Sequence, residues 1–148
     1  MMRAGITVLV LAACAPQPPA PDLKDEIEVM LRRSAAAWNA GDLEAFLSDY
    51  AADSTTSFVS GGRVHYGYDW IRDNYAPSFA PGTTRDSLRF EEIRAEPLGS
   101  EYAMATASFV LFRGDSVTGR GPFTLVLRRA AGRWRIIHDH TSRDPEPE

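Results

Sequence analysis

Cysteine and lysine each occur once in the 148 residues, at Cys14 and Lys24, and histidine three times. A lone cysteine excludes an intrachain disulfide framework. No apolar run approaches the roughly 20 residues that a membrane-spanning helix needs. Glycine-rich phosphate loops, dinucleotide fingerprints, nucleophile elbows and zinc signatures are all missing. Basic residues are in deficit as well: 16 Lys and Arg face 20 Asp and Glu, for a net charge of −4. That balance excludes nucleic acid as the expected partner, because phosphate binding needs a basic face. The remaining composition, 44% hydrophobic and 24% charged, is that of one ordinary globular domain.

The most informative stretch is the beginning. Arg3 precedes a short apolar run, Gly5 to Ala13, which reads as the central region of a secretory signal peptide. Leu11-Ala12-Ala13-Cys14 resembles a bacterial lipobox, after which the cysteine is lipidated and becomes the mature N-terminus. The plainer alternative is an ordinary signal peptide with a chance cysteine. An exported protein gains little from one unpaired thiol, whereas a lipid linkage accounts for it. The following proline-rich segment, Ala15 to Pro21, is semi-extended and would hold a folded domain away from a membrane surface. The expected organisation is a leader over 1–13, a tether over 14–22, one domain over 23–142 and a disordered tail over 143–148. The expected location is the bacterial cell envelope, lipid-anchored and facing the periplasm or the exterior.

Within the domain, Ile27, Met30, Leu31, Ser34 or Ala35, and Trp38 recur at helical spacing and predict a helix over Leu23 to Ala40. Asp22 is its expected N-cap and Gly41 its stop. Asp42 then caps a second helix, Leu43 to Tyr50. Two short strands follow, Thr55 to Val59 and Arg63 to Tyr66, around Gly61-Gly62, and a third helix over Asp69 to Tyr75, closed by Pro77. Long strands are predicted over Asp86 to Glu96, Tyr102 to Phe112, Val117 to Arg129 and Arg133 to Thr141. Helices first and long strands afterwards mean an α+β fold with an antiparallel sheet curled around about three N-terminal helices.

Two stretches carry a family likeness. Ala36-Ala37-Trp38-Asn39-Ala40-Gly41-Asp42-Leu43-Glu44-Ala45-Phe46, running on to Tyr50-Ala51-Ala52-Asp53, resembles the opening of the ketosteroid isomerase-like and SnoaL-like members of the nuclear transport factor 2-like superfamily. Gly132-Arg133-Trp134-Arg135-Ile136-Ile137-His138-Asp139-His140-Thr141-Ser142 is similar to the superfamily's last strand, and to the closing strand of the calcium/calmodulin-dependent kinase II association domain. The resemblance implies a cone-shaped fold with a pocket at its wide end, and a homodimer paired through the outer face of the sheet. It specifies no activity, since this superfamily hosts isomerases, cyclases, dehydratases and binding modules.

An isomerase of this type needs a tyrosine donor on the first helix and a carboxylate base after the second. Counted from the shared segment, those positions fall on Ser34 and Phe58, which argues against that mechanism. His138 and His140 stand two apart on the last strand and are expected on one face with Trp134, Ile136 and Ser142. No third ligand accompanies them and His65 is remote, so no metal and no cofactor are expected. Asp53 reads first as a turn former and second as an acid–base partner for His140. Trp38 and Trp70 fall on inner helix faces, where core packing is the commoner use. The expected pocket wall is Trp38, Tyr50, Phe58, Trp70 and Trp134, with His138 and His140 as its polar points, and the expected ligand is a small, partly apolar molecule. Three functions remain open: a lipid-anchored binding or assembly module, a SnoaL-like acid–base enzyme acting on a carbonyl-bearing substrate, and a purely structural dimer.

Overall fold

The computed structural model describes residues 22–145. The leader, the lipobox with Cys14, the tether up to Pro21 and the last three tail residues lie outside the described residues. Helix α1 covers Leu23–Ala40 and buries Ile27, Met30, Leu31, Ala35 and Trp38, the stripe its periodicity predicts. Asp22 holds the N-cap position but its side chain makes no capping hydrogen bond. At the other end Gly41 takes the left-handed conformation (φ 80°), and the Asp42 N–H donates to the Ala37 carbonyl. Asp42 also accepts from the Ala45 N–H at 2.9 Å and so starts α2, Leu43–Leu47. This helix is shorter than its sequence suggests. Tyr50 instead runs beside the last strand, where the Ile136 N–H donates to the Asp49 carbonyl (2.8 Å) and the Ala51 N–H to the Ile136 carbonyl (2.9 Å).

Strands β1 (Ser57–Ser60) and β2 (Arg63–Tyr66) form a hairpin through Gly61 and Gly62. Helix α3 (Tyr68–Tyr75) passes into a 3₁₀ turn, Ala76–Phe79, that contains Pro77. The long strands are β3 (Ser87–Pro97), β4 (Tyr102–Arg113), β5 (Ser116–Ala130) and β6 (Arg133–Thr141). All six strands join one curved sheet in the order β2-β1-β6-β5-β4-β3. Only the β1–β6 pair is parallel. Helices α1 and α2 cover the concave face, as an α+β fold with one protected sheet face requires. No helix among the described residues is long and apolar enough to cross a membrane.

The core is aromatic where the helices meet. Trp38 packs edge-on against Phe46 (5.2 Å between centroids) and Phe79 (5.1 Å), and Phe46 against Tyr75 (5.0 Å). Such pairs add about 0.5–1.5 kcal/mol each beyond their buried area. Three bulges bend the sheet, one in each antiparallel pair from β3–β4 to β5–β6. In β6 the register slips between Val126, which faces His138, and Leu127, which faces Ile136. Ile137 is therefore an extra residue, and everything after it changes face.

Strand β3 ends the sheet, leaving backbone groups on its free edge. Asn39, at the end of α1, covers part of that edge: its Nδ2 donates to the Leu88 carbonyl (3.0 Å) and its Oδ1 accepts from the Leu88 N–H (2.7 Å). Asn39→Ala strips both partners and should cost about 1 kcal/mol of stability. Chemical denaturation would measure it. An unchanged midpoint would show that water replaces the amide without loss.

Candidate functional site

Between the helices and the concave face lies a cavity of about 460 Å³. Each element contributes the residues its periodicity turns inward. Helix α1 presents Leu31, Ser34 and Trp38 at spacings of three and four. Phe46, Phe58 and Tyr75 come from α2, β1 and α3, and the alternating strands supply Leu88, Phe90, Phe109, Leu111, Phe123 and Leu125. The wall is largely apolar, with Arg85, Asp86 and Arg143 among its charged residues. Of the charged lining residues one is buried: Asp139 on β6, only 4% exposed, points inward.

Asp139 is satisfied from two sides. Tyr50 Oη donates to its Oδ2 at 2.6 Å and Thr141 Oγ1 to its Oδ1 at 2.7 Å. Burial nevertheless pushes the carboxyl above its ordinary range, because removal from water outweighs the two hydrogen bonds and the attraction of His138 and His140. Burial and then the Asp139 charge drive the Tyr50 hydroxyl well up, and Tyr75, coupled to Tyr50, is raised in the same way. Both phenols stay protonated. The result is a chain of one carboxyl and two buried hydroxyls at the polar end of an apolar chamber. A carboxyl raised toward neutrality can give or take a proton from a bound molecule, and buried hydroxyls can orient a carbonyl or hydroxyl group. Among the described residues no three His, Cys, Asp or Glu side chains gather into a metal-sized site.

The sequence-predicted site residues divide sharply. Trp38, Tyr50 and Phe58 line the cavity, as does Ser34. The two isomerase-type positions thus reach the chamber without carrying acid–base chemistry, and the carboxyl comes from a different strand. His138 and His140 do not line it, which corrects the expected face. The Ile137 bulge inverts the alternation, so Asp139 and Thr141 point inward and the histidines outward. His138 is half-buried with its Nδ1 2.8 Å from Ser57 Oγ, and His140 is exposed. Asp53 is also outside: its Oδ1 accepts from the Thr55 N–H and Oγ1, both at 2.8 Å, in an exposed turn, and these bonds hold its carboxyl below the usual range. Trp70 stacks on His65 (3.7 Å, 6° between planes) and supports Phe58 from behind. Trp134 lies near the start of α1, donating to Glu26 beneath the Arg129 guanidinium. Sequence reasoning missed Asp139, Thr141 and Arg143. The available signal was the adjacent pair Ile136-Ile137, two apolar residues where a regular half-buried strand would alternate.

A helix-covered, strongly bent sheet with one inner chamber defines a fold shared with the NTF-2-like and cystatin-like proteins. The chain belongs to the SnoaL-like domain family, which matches residues 27–145. Comparison with curated proteins finds no match. An NTF-2-like protein of unknown function from Shewanella oneidensis is 28% identical, with a TM-score of 0.69 over 80% of this chain and 97% of that one. A candidate ketosteroid isomerase from Parabacteroides distasonis is 19% identical (TM-score 0.66, 84% and 90% covered). A candidate calcium/calmodulin-dependent protein kinase II association domain from Xanthomonas campestris is 17% identical (TM-score 0.65, 89% and 95% covered). At those identities the last two show the fold alone.

Burying Asp139 has a consequence for stability. Its folded-state pKa is raised, so the native chain holds the proton more tightly than the unfolded chain. Stability from this group falls as pH rises from the unfolded value, about 3.9, through the folded one, and stays low above it. Asp49, also buried and raised, acts in the same direction, so the comparison must be between variants. Asp139→Asn removes the charge but keeps an acceptor for Tyr50. It should raise stability at pH 7 by on the order of 1 kcal/mol and flatten the pH dependence relative to the parent. Melting curves from pH 4 to pH 8 test this; a variant less stable at pH 7 than at pH 4 by the parent's margin would refute it.

Proposed function

We propose that this domain binds a small, partly apolar molecule in the concave chamber, with a carbonyl or hydroxyl group of the ligand against Asp139 and Tyr50. The observation that carries the reading is a single buried carboxyl, hydrogen-bonded to a buried phenol, in a largely apolar cavity of about 460 Å³. A second reading rests on the upward shift of Asp139. Such a carboxyl is suited to removing a proton from a carbon next to a ketone and returning it elsewhere, which is SnoaL-like acid–base chemistry with Asp139 in place of the expected His140. The proton balance needs no cofactor.

Benzylacetone, a ketone with an apolar body, serves as probe for both. It should bind the full chain saturably, shifting the NMR signals of Trp38. Ser34→Trp, which fills the chamber from α1, should weaken binding at least about tenfold without unfolding the domain. Absence of saturable binding, or binding unaffected by the filled chamber, would sink the first reading. In heavy water, catalysed deuterium uptake beside the carbonyl that disappears in Asp139→Asn while binding persists would establish the second.

We also propose, from the sequence, that Cys14 carries a lipid and places the domain in the cell envelope. Cys14→Ser should then move the expressed protein from the detergent phase to the aqueous phase. A mutant that still partitions into detergent overturns the anchor.

A further inference from the structure

We propose that the chamber's ligand is an organic acid whose carboxylate is bound by Arg143 at the cavity mouth. This rests on the binding reading above and adds the class of molecule bound.

Strand pairing does not stop with β6. The Ser142 N–H donates to the Pro122 carbonyl (3.0 Å) and the Asp144 N–H to the Arg120 carbonyl (2.9 Å), which continues the β5–β6 register. Asp139, Thr141 and Arg143 are therefore successive inward residues of one extended segment, and all three line the chamber. At about 3.3 Å per residue, the backbone positions of the carboxyl and the guanidinium stand about 13 Å apart. The chamber thus has an acidic end and a basic end.

The segment's path is cut into β5. A Cβ at Gly121 would stand 2.0 Å from the Ser142 carbonyl oxygen and 2.8 Å from Arg143 Cα. One at Gly119 would meet Arg143 Nη1 at 2.3 Å and Cζ at 3.0 Å. Neither glycine has a left-handed backbone, so what each contributes is room. Any side chain at Gly119 would evict the guanidinium from its seat, 5.9 Å from the centre of the cavity-lining ring of Phe109.

No acid among the described residues holds the guanidinium there. Among the described residues no carboxylate or carbonyl pairs with Arg143, whereas the mouth's one acid, Asp86, is occupied by Arg113 and by Thr118 (2.7 Å). Arg85, on the same rim, donates to the Trp38 carbonyl (2.8 Å) and the Ser78 carbonyl (3.1 Å), and adds a second positive charge. A chain of net charge −4 thus carries a positive rim around an apolar chamber. A planar guanidinium matches a carboxylate in shape and in number of charges, and the apolar walls select the rest of the molecule.

The test uses phenylbutyrate and phenylbutanol, which share a carbon skeleton and differ in charge, titrated into the full chain at low salt. The parent protein should bind phenylbutyrate about tenfold tighter than phenylbutanol. Arg143→Gln should remove that preference by weakening phenylbutyrate alone, with the melting temperature unchanged, and Arg143→Lys should restore part of it. Equal affinity for the two probes in the parent, or a preference that survives Arg143→Gln, overturns the assignment of Arg143 while leaving the binding chamber standing. If neither probe binds, the inference and the binding reading fall together.

Discussion

A carboxyl buried in an apolar wall is the constraint around which the rest of this structure is arranged. Left alone, Asp139 would be too costly to keep at 4% exposure. Tyr50 and Thr141 make it tolerable, and each is placed for the purpose by something else. Tyr50 is pinned to β6 by the two backbone hydrogen bonds around Ile136, which is why α2 must end early at Leu47. Thr141 follows Asp139 on the same strand face. Tyr75, from α3, closes the polar end behind Tyr50. One helix, a linking segment and the last strand thus converge on one acidic group, and the apolar residues of β3 to β5 form the space in front of it.

The fold was legible in the sequence because most elements announce themselves locally. The stripe Ile27, Met30, Leu31, Ala35 and Trp38 can bury only on a helix, Gly41 and Asp42 break and restart it, and the later alternation can only be strand. Part of the chamber's helical wall was legible for the same reason: Trp38 sits where its periodicity puts it, whereas Tyr50 reaches the chamber from beyond the end of α2. What failed was the face of β6. Side-chain direction along a strand is a running count by twos, and one unmarked insertion reverses it. Counting forward from Trp134 gives the histidines to the chamber; counting back from Thr141 gives it Asp139. Both counts are locally sound, and the Ile137 bulge decides between them.

The same bulge separates two kinds of chemistry on neighbouring residues. His138 and His140 face outward, toward Ser57 and solvent, and influence the chamber only through the field they exert on Asp139. Trp70 and Trp134 are likewise supports rather than walls, one stacked under β2 and the other beneath Arg129. Of the five aromatic residues expected in the wall, Trp38, Tyr50 and Phe58 line the chamber and these two do not, because a cone has two ends and two sides, and periodicity reports only inward or outward.

The parallel pairing of β1 with β6 bears on how the chain folds. Strands β3 to β6 are sequence neighbours joined by tight turns, and can pair by short loop closures. The β1–β6 ladder and the bond from Tyr50 to Asp139, 89 residues apart, must wait for most of the chain to be in place. The polar end of the chamber is therefore completed late in folding. Until then a carboxyl on a central strand stays wet, so a half-formed sheet keeps a charge on its inner face, a solubilising feature that vanishes as the helices dock.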